Sequence, residues 1–317
     1  MSAPGRFQGG PSRRPCILFF ADAQSVHTQR WVLAMSQRGY DCVVVTRRPA
    51  EVPGAREVIA VRPGGDGPGW FKAVPELRRI ATQIAPDLVH GHYVTSYGFW
   101  AASCGRQPVV LTAWGSDILV TPRESLLMRA LVGWSLRQAA LITADSQDVL
   151  DEIAGYRPGA PLHEILWGAD TERFQPALER PQGLHLVSLR SWEPNYNIDV
   201  LLQAFATLCA QRPNSRIRLA LLGGGPQEAE LRVLAEELQL GEAVEFIGRV
   251  DDAGMVRAMQ AATVSVTVPS SDATSVSLLE SLSCGLAVVA SDLPANRQWV
   301  SPAGGQRVPP RDAQALL

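Results

Sequence analysis

The sequence lacks the features that mark disulfide-rich, membrane-spanning and nucleic-acid-binding proteins. Its five cysteines are odd in number and include no C-x-x-C pair, so we expect buried free thiols in a reducing compartment and no cysteine-bound metal. No apolar run reaches the ~18 residues that a membrane-crossing helix requires. Lys72 is the only lysine, and basic residues do not alternate with aromatic ones, which argues against a nucleic-acid partner.

The first 14 residues and the charge distribution also limit the possible classes. Residues 1–14 are rich in glycine, proline, serine and arginine and contain no apolar signal segment, so we expect a disordered leader. Residues 1–80 carry 12 Lys/Arg and 6 Asp/Glu, whereas residues 181–317 carry 10 and 14. The basic N-terminal region is either an ordinary solvated surface or a contact surface for an anionic membrane or an acidic partner molecule.

Short apolar runs alternate with amphipathic segments along the whole chain. Residues 15–21 form an apolar run typical of a strand buried on both faces, residues 29–38 follow with helical spacing, and residues 42–46 form the next strand. This unit lacks the G-x-G-x-x-G pattern, so we expect no dinucleotide cofactor. The length and the alternation predict an α/β fold with two Rossmann-like, doubly wound parallel-sheet domains.

Polar residues follow the predicted strands of the first domain. In an open parallel sheet such loops lie along one edge, so these side chains can converge on one crevice. His90 and His92 are two residues apart on a strand and should point to the same face. Two histidines alone are weak evidence for a metal site. The candidate residues of this edge are His27, His90, His92, Trp114, Ser116 and Asp117.

The segment from Trp70 to Gln83 has the spacing of an amphipathic helix. One interpretation is a helix that lies on a membrane surface, and the other is a helix packed on the sheet. Further along, Pro176 and Pro181 flank a polar segment that is typical of a hinge. We therefore expect a first domain over residues 15–177, a linker over 178–183 and a second domain over 184–317.

The stretch from residue 262 to residue 290 is read as strand, polar loop, helix and strand. Backbone N–H groups at the start of the helix would form a seat for an anion. Two carboxylates, Asp272 and Glu280, stand eight positions apart around this loop. If Ser277 caps the helix, Glu280 completes a capping box. If the helix starts near Thr274 or Ser275, Glu280 lies in its second turn and can serve a ligand.

Several motifs in a consistent order resemble those of retaining GT-B glycosyltransferases of family 4. The Asp272–Glu280 pair resembles the E-x7-E signature, with Asp in place of the first Glu. The segments G-A-D-T-E-R-F-Q-P (residues 168–176), G-G-G-P (223–226) and F-I-G-R-V (246–250) resemble further motifs of that family. The resemblance covers residues 16–317. It implies two domains facing a cleft, with the acceptor held by the first and a nucleotide-diphosphate sugar by the second.

The resemblance also implies roles for individual residues. Arg190 at the end of a strand would bind the donor pyrophosphate, because a guanidinium chelates phosphate oxygens. The implied donor-binding residues are Arg190, Gly223, Gly225, Arg249, Val250, Asp272, Ala273, Thr274, Ser275, Val276 and Glu280. The implied catalytic residues are His92, Asp117 and Asp272. The implied acceptor-side residues are His27, His90, Trp114 and Ser116.

The chain departs from the family pattern at three places. Trp114 stands where relatives often have a histidine that contacts the donor sugar, and Tyr196 stands near an expected lysine. The last helices of the family are expected to be missing after Leu317. No D-x-D motif occurs, and the resemblance implies neither a metal nor any other cofactor.

The expected activity is sugar transfer with retention of configuration, to a lipid, a saccharide or a small molecule, in cell-envelope polysaccharide or glycolipid biosynthesis. The expected location is the cytoplasm, and a peripheral position at the inner face of the membrane is a second option. A sugar-nucleotide epimerase of the same fold and a non-catalytic sugar-nucleotide-binding or scaffold protein remain as alternatives.

Overall fold

The computed structural model describes residues 13–62, 69–179 and 181–317. The chain divides into two compact units. The first comprises the described residues up to Ala144 together with Val149–Ile165, and the second comprises Asp145–Asp148 and Leu166–Leu317. The expected disordered leader falls on residues 1–14, of which residues 1–12 lie outside the described residues.

The first half of the chain builds a seven-stranded sheet. Its strands are β1 (Cys16–Phe20), β2 (Asp41–Thr46), β3 (Ala55–Ala60), β4 (Leu88–His92), β5 (Val109–Thr112), β6 (Leu141–Ala144) and β7 (Leu162–Glu164). Its helices are α1 (Val26–Gln37), α2 (Gly69–Lys72), α3 (Val74–Ile84), α4 (Tyr97–Ser103), α5 (Ser116–Leu119), α6 (Thr121–Glu124), α7 (Leu126–Arg137) and α8 (Gln147–Ala154).

The strand order of this sheet is β3-β2-β1-β4-β5-β6-β7, and all its pairings are parallel. Every residue of β1 is buried, as expected for a strand with helices on both faces. The order reverses direction at β1, which lies between β2 and β4. The crevice at the carboxyl ends of β1 and β4 is therefore the place where this type of sheet binds ligands.

The second half builds a six-stranded sheet of the same kind. Its strands are β8 (Leu184–Ser188), β9 (Ile217–Leu222), β10 (Val244–Gly248), β11 (Val264–Thr267), β12 (Ala287–Ser291) and β13 (Gly305–Val308). Its helices are α9 (Ile198–Gln211), α10 (Glu228–Glu237), α11 (Asp252–Gln260), α12 (Val276–Ser283) and α13 (Pro294–Arg297). The order is β10-β9-β8-β11-β12-β13, again with parallel pairings, so β8 marks the point of reversal.

The predicted fold class, two doubly wound parallel-sheet domains, is confirmed. The compact units divide between Ile165 and Leu166, before the expected linker at residues 178–183. The reason is packing: Phe174 is fully buried in an apolar cluster of the second unit. The Ser283 hydroxyl donates to the Phe174 carbonyl at 2.6 Å. The segment after Leu166 is thus attached to the second sheet before β8 begins.

The helix expected from Trp70 to Gln83 is two helices, α2 and α3. Leu77 and Ala81 on α3 are fully buried, and Ile80 is nearly so. The apolar face of α3 is therefore buried within its own unit, which favours the interpretation of a packed helix over that of a helix lying on a membrane surface.

Candidate functional site

The carboxyl ends of β8 and β11 carry the most strongly polar cluster of the second unit. The Arg190 guanidinium follows β8 and donates to Oδ2 of Asp272 at 2.7 Å and to Oγ of Ser275 at 2.7 Å. Only 10% of the Arg190 side chain and 20% of the Asp272 side chain are exposed. The sheet therefore brings together three of the predicted donor-binding residues from loops distant in sequence.

A tyrosine supports the arginine from the side. The guanidinium carbon of Arg190 lies 4.4 Å from the centre of the Tyr196 ring, a distance at which a cation is attracted by the ring face. Tyr196 stands near the expected lysine, and it orients the arginine without adding a charge. Burial raises the pKa of Asp272, and the neighbouring Arg190 acts in the opposite direction.

The helix α12 begins immediately after Ser275. Ser275 is its N-cap, and the Ser275 hydroxyl accepts from the Leu278 N–H. Glu280 therefore lies in the second turn, where it is buried at 2% exposure. The capping box that starts at Ser277 is wrong, because the helix begins two residues earlier than that interpretation requires.

The remaining loop residues predicted to bind the donor surround this helix start. Ala273, Thr274 and Ser275 are buried, and Val276 is half-buried at the first helical position. The first N–H groups of a helix lack partners within the helix and are favourable for anions. The loop thus presents backbone donors beside the Arg190 guanidinium.

Two asparagines that sequence patterns did not single out hold this loop in place. Asn195 donates its side-chain amide to the Ser271 carbonyl at 2.8 Å and accepts from the Ser271 N–H at 3.1 Å. Asn197, fully buried, donates to the Val268 carbonyl at 2.8 Å. Its left-handed backbone, with φ of 51°, is a conformation that asparagine tolerates better than most residues. An N-x-N pair before a helix is the signal that could have revealed them.

The glycines after β9 are required by the neighbouring backbone. A Cβ on Gly223 would lie 2.2 Å from the Arg190 carbonyl oxygen, and one on Gly225 would lie 2.3 Å from that of Trp192. Trp192 also donates its backbone N–H to the Gly224 carbonyl at 3.2 Å. The glycine run therefore packs directly on the loop that carries Arg190.

The expected nucleobase segment follows β10. Arg249 and Val250 are exposed, and they stand after Gly248, whose φ is 84°. The Arg249 side chain lies over Gly224, since a Cβ on that glycine would approach Arg249 Nε at 3.1 Å. The predicted donor-binding residues Gly223, Gly225 and Arg249 thus lie on adjacent loops.

Gly225→Ala should distort the glycine loop after β9, whereas Gly224→Ala should not. The new methyl at position 225 meets backbone, while at position 224 it meets only the far end of a flexible side chain. We expect Gly225→Ala to lower the free energy of unfolding by about 1–3 kcal/mol, and the control to change it by less than about 1 kcal/mol. Urea unfolding of both variants measures this, and equal effects would contradict the packing argument.

In the first unit, the carboxyl ends of β1 and β4 carry a cluster of aromatic and imidazole rings. His90 and His92 point to the same face as expected, with ring centroids 4.5 Å apart. His92 also contacts Trp114 at 5.2 Å, and His27 contacts the same indole at 5.2 Å. The predicted acceptor-side residues His27, His90 and Trp114 are therefore brought together with His92. Phe19 and Trp31 complete the cluster.

The two buried histidines differ in their hydrogen bonding. His90 Nε2 lies 2.7 Å from Thr112 Oγ1, whereas neither ring nitrogen of His92 has a hydrogen-bond partner among the described residues. Burial lowers the pKa of His90 to about 3 and holds that of His92 well below its ordinary value. Both imidazoles are thus neutral at pH 7.

Asp117 is fully buried at the start of α5. Its Oδ2 accepts from the Val94 N–H at 2.6 Å, and its Oδ1 accepts from the Trp114 N–H at 3.0 Å. The carboxylate therefore joins the loop after β4 to the loop after β5. Its geometry is that of a positioning residue, and the catalytic role implied for it stays a prediction.

Asp117→Asn tests this role through the pH dependence of stability. An amide can accept only one of the two backbone N–H groups, so we expect a loss of about 1–3 kcal/mol. Desolvation raises the pKa of Asp117 to about 6, so the protonated acid favours the folded state, and this contribution is lost as pH rises through 6. The wild-type advantage should be larger at pH 4.5 than at pH 7. A difference independent of pH in urea unfolding would contradict the assignment.

Ser116 lies at the exposed edge of the ring cluster. Its hydroxyl lies 2.9 Å from that of Tyr93, and Tyr93 has a left-handed backbone with φ of 65°. The loop after β4 is thus bent so that Tyr93 reaches the loop after β5. Among the described residues, no group of three or more His, Cys, Asp or Glu could hold a metal ion.

Comparisons with known proteins identify the family. Residues 16–146 match the model described as "Glycosyl transferase 4-like", and residues 170–317 match "Glycosyl transferases group 1". The chain belongs to the family 4-type glycosyltransferases. The resemblance to GT-B glycosyltransferases of family 4 is thus confirmed in family and fold.

Curated relatives are similar to this chain in sequence, and solved structures are similar to it in fold. The D-inositol 3-phosphate glycosyltransferase of Corynebacterium jeikeium is 26% identical, over 86% of this chain and 75% of that protein. Sucrose-phosphate synthase from Thermosynechococcus elongatus superposes with a TM-score of 0.80 at 18% identity, over 96% of this chain and 88% of that one. HepE of Anabaena, in complex with UDP and glucose, gives 0.76 at 18% identity, over 96% and 88%. The chain spans only 20%, 58% and 50% of the length of three other curated relatives.

Proposed function

We propose that the chain transfers a sugar from a nucleotide-diphosphate donor to an acceptor, with retention of configuration and without a metal. The observation that carries this proposal is the Arg190 guanidinium held beside the N-terminus of α12. This arrangement offers a guanidinium and the backbone N–H groups of a helix N-terminus at the reversal point of a parallel sheet, where anionic ligands bind. The family membership supports the same conclusion.

The donor diphosphate would lie between the guanidinium and the N–H groups of residues 273–276. Arg190 Nε has no hydrogen-bond partner among the described residues although it is buried, so it has a donor left for a phosphate oxygen. Charge develops on the leaving phosphate during sugar transfer, and preorganised donors stabilise that charge without reorganising. In metal-dependent enzymes a bound metal ion provides this stabilisation.

The two carboxylates would bind hydroxyl groups of the donor. Asp272 is next to the anion seat and would accept from the transferred sugar, and Glu280 would accept from the ribose. Retention would follow attack from the face on which the leaving phosphate departs, with that phosphate assisting deprotonation of the acceptor. His92 in the first unit would serve as a neutral hydrogen-bonding group on the acceptor side, because burial lowers its pKa.

A donor panel tests the proposal through thermal stability. We expect at least one compound of a panel of UDP, GDP, ADP and their common sugar derivatives to bind. At a ligand concentration 100 times its Kd, that compound should raise the free energy of unfolding by about 2.7 kcal/mol. Arg190→Lys keeps the charge but loses the planar fork, so we expect its Kd for the same nucleotide to rise at least about tenfold, or ~1.4 kcal/mol. The measurement is titration calorimetry.

Arg232→Lys is the matched control, since Arg232 is an exposed arginine of the same unit that pairs with Glu228. No stabilisation by any nucleotide would overturn the donor assignment. Nucleotide binding without transfer to any acceptor would favour the non-catalytic alternative, and release of an epimerised sugar nucleotide without acceptor would favour the epimerase.

We propose further that the first unit contacts an anionic membrane through α7. Among the described residues, no helix is long and apolar enough to span a bilayer. The side chains of Leu126 and Leu127 are nevertheless 85% and 70% exposed, and Trp134 on the same helix is 39% exposed. Arg129 and Arg137 are exposed on this helix as well. Apolar side chains flanked by arginines match a surface with anionic headgroups.

Vesicle sedimentation tests this surface. Binding to vesicles of phosphatidylglycerol and phosphatidylcholine should exceed binding to phosphatidylcholine alone and should weaken as salt rises. The double variant Leu126→Glu and Leu127→Glu should lower the vesicle partition coefficient at least about tenfold. It removes two apolar side chains from the membrane interface and adds two negative charges, which the anionic headgroups repel. Val233→Glu, at a 53% exposed apolar site of the second unit, should change nothing. Equal binding by both variants would refute the assignment to α7.

A further inference from the structure

The first unit contains a cavity of about 310 Å³ at the carboxyl ends of β1 and β4. Its lining residues are Asp22, Ser25, His92, Tyr93, Ser96, Tyr97 and Trp114. Three of these are aromatic, and the others carry hydroxyl, carboxylate or imidazole groups. A volume of this size is at the lower end for small-ligand sites, which combine an apolar wall with a few polar groups.

His92 is the polar group that points to a ligand. It is 1% exposed, lines the cavity, and leaves both ring nitrogens without a hydrogen-bond partner among the described residues. A buried polar group without hydrogen-bond partners is energetically unfavourable. A neutral imidazole offers one donor and one acceptor, so a ligand that both donates and accepts would remove this cost.

The charge of the lining selects the class of ligand. None of the lining residues is a lysine or an arginine, and the charged one is the carboxylate of Asp22. Asp22 lies just before α1, where its Oδ1 accepts from the Gln24 N–H at 3.0 Å. Its Oδ2 pairs with Arg48 at 2.9 Å. The carboxylate and the Arg48 guanidinium thus compensate each other, and none of the lining residues supplies an unpaired positive charge to bind a phosphate.

Hydroxyl groups complete the polar part of the wall. Ser25 and Ser96 stand at the N-caps of α1 and α4, and the side chain of neither caps a helix N–H group. The Tyr97 hydroxyl is already engaged by the Arg47 N–H at 3.2 Å, so Tyr97 contributes mainly its ring. The cavity therefore presents aromatic faces, two serine hydroxyls, one carboxylate and one neutral imidazole.

We propose that this cavity binds the acceptor through an uncharged sugar ring, packed against Trp114 and hydrogen-bonded to His92, and that it excludes phosphorylated acceptors. The inference rests on the proposed function and narrows its acceptor class. Under this proposal the chain differs from a glycosyltransferase that acts on an inositol phosphate, because its acceptor group carries no phosphate. The indole at position 114 would serve as an apolar wall for the acceptor sugar.

Ligand-observed saturation-transfer NMR on the full chain tests the proposal. The neutral probes are methyl α-glucoside, methyl α-galactoside and N-acetylglucosamine, and the anionic probes are inositol 1-phosphate and glycerol 3-phosphate. We expect at least one neutral probe to bind and neither anionic probe to do so. His92→Leu and Trp114→Ala should each weaken the neutral probe at least about tenfold.

Tyr40→Ala is the control, because Tyr40 is an exposed aromatic residue of the same unit that does not line the cavity. Asp22→Asn should admit inositol 1-phosphate, since it removes the negative charge and releases the Arg48 guanidinium. Thermal unfolding checks that each variant is folded. Stronger binding of the anionic probes to the wild type, or unchanged sugar binding by both cavity variants, would overturn the proposal.

The outcome is independent of the donor site. Nucleotide binding that depends on Arg190, combined with no sugar binding in the first unit, would remove this inference alone. Sugar binding that depends on His92, combined with no nucleotide binding, would instead overturn the donor half of the proposed function.

Discussion

The contact between Arg190 and Asp272 is the interaction on which the second unit's site depends. It joins residues that are 82 positions apart, and it forms because β8 and β11 are neighbours in the sheet. The surrounding loops are held by contacts that leave little freedom: the glycines after β9 pack on the β8 loop, and Asn195 and Asn197 hold the β11 loop. The guanidinium is therefore placed before any ligand arrives, which lowers the cost of binding one.

The two sheets have their polar clusters at the same topological position, the reversal point, but one cluster is charged and the other is uncharged. In the second unit, the reversal point carries a buried ion pair and a helix N-terminus, which suit a charged diphosphate. In the first unit, the reversal point carries rings and neutral imidazoles, with burial lowering the pKa of both His90 and His92. This contrast supports a charged donor on one unit and an uncharged acceptor group on the other.

The sequence predicts what depends on local pattern and on the geometry of parallel sheets. The strand–helix alternation and the shared face of His90 and His92 follow from the periodicity of the apolar residues and from the pleat of the strands. The asparagine contacts at the β11 loop and the backbone role of Asp117 do not, because they are set by residues far apart in sequence. The sequence does not predict the break between α2 and α3 either, because the apolar spacing continues across it.

Glu280 shows how the position at which a helix starts decides whether a carboxylate can act as a helix cap. A carboxylate three positions after a capping serine would be consumed by its own helix, and the sequence offers that arrangement at Ser277. The structure begins α12 at Val276 because Ser275 supplies the cap and also accepts from Arg190. The same hydroxyl therefore sets the helix start and orients the guanidinium. Glu280 is thereby placed in the second turn, one turn away from the backbone groups that a diphosphate would occupy.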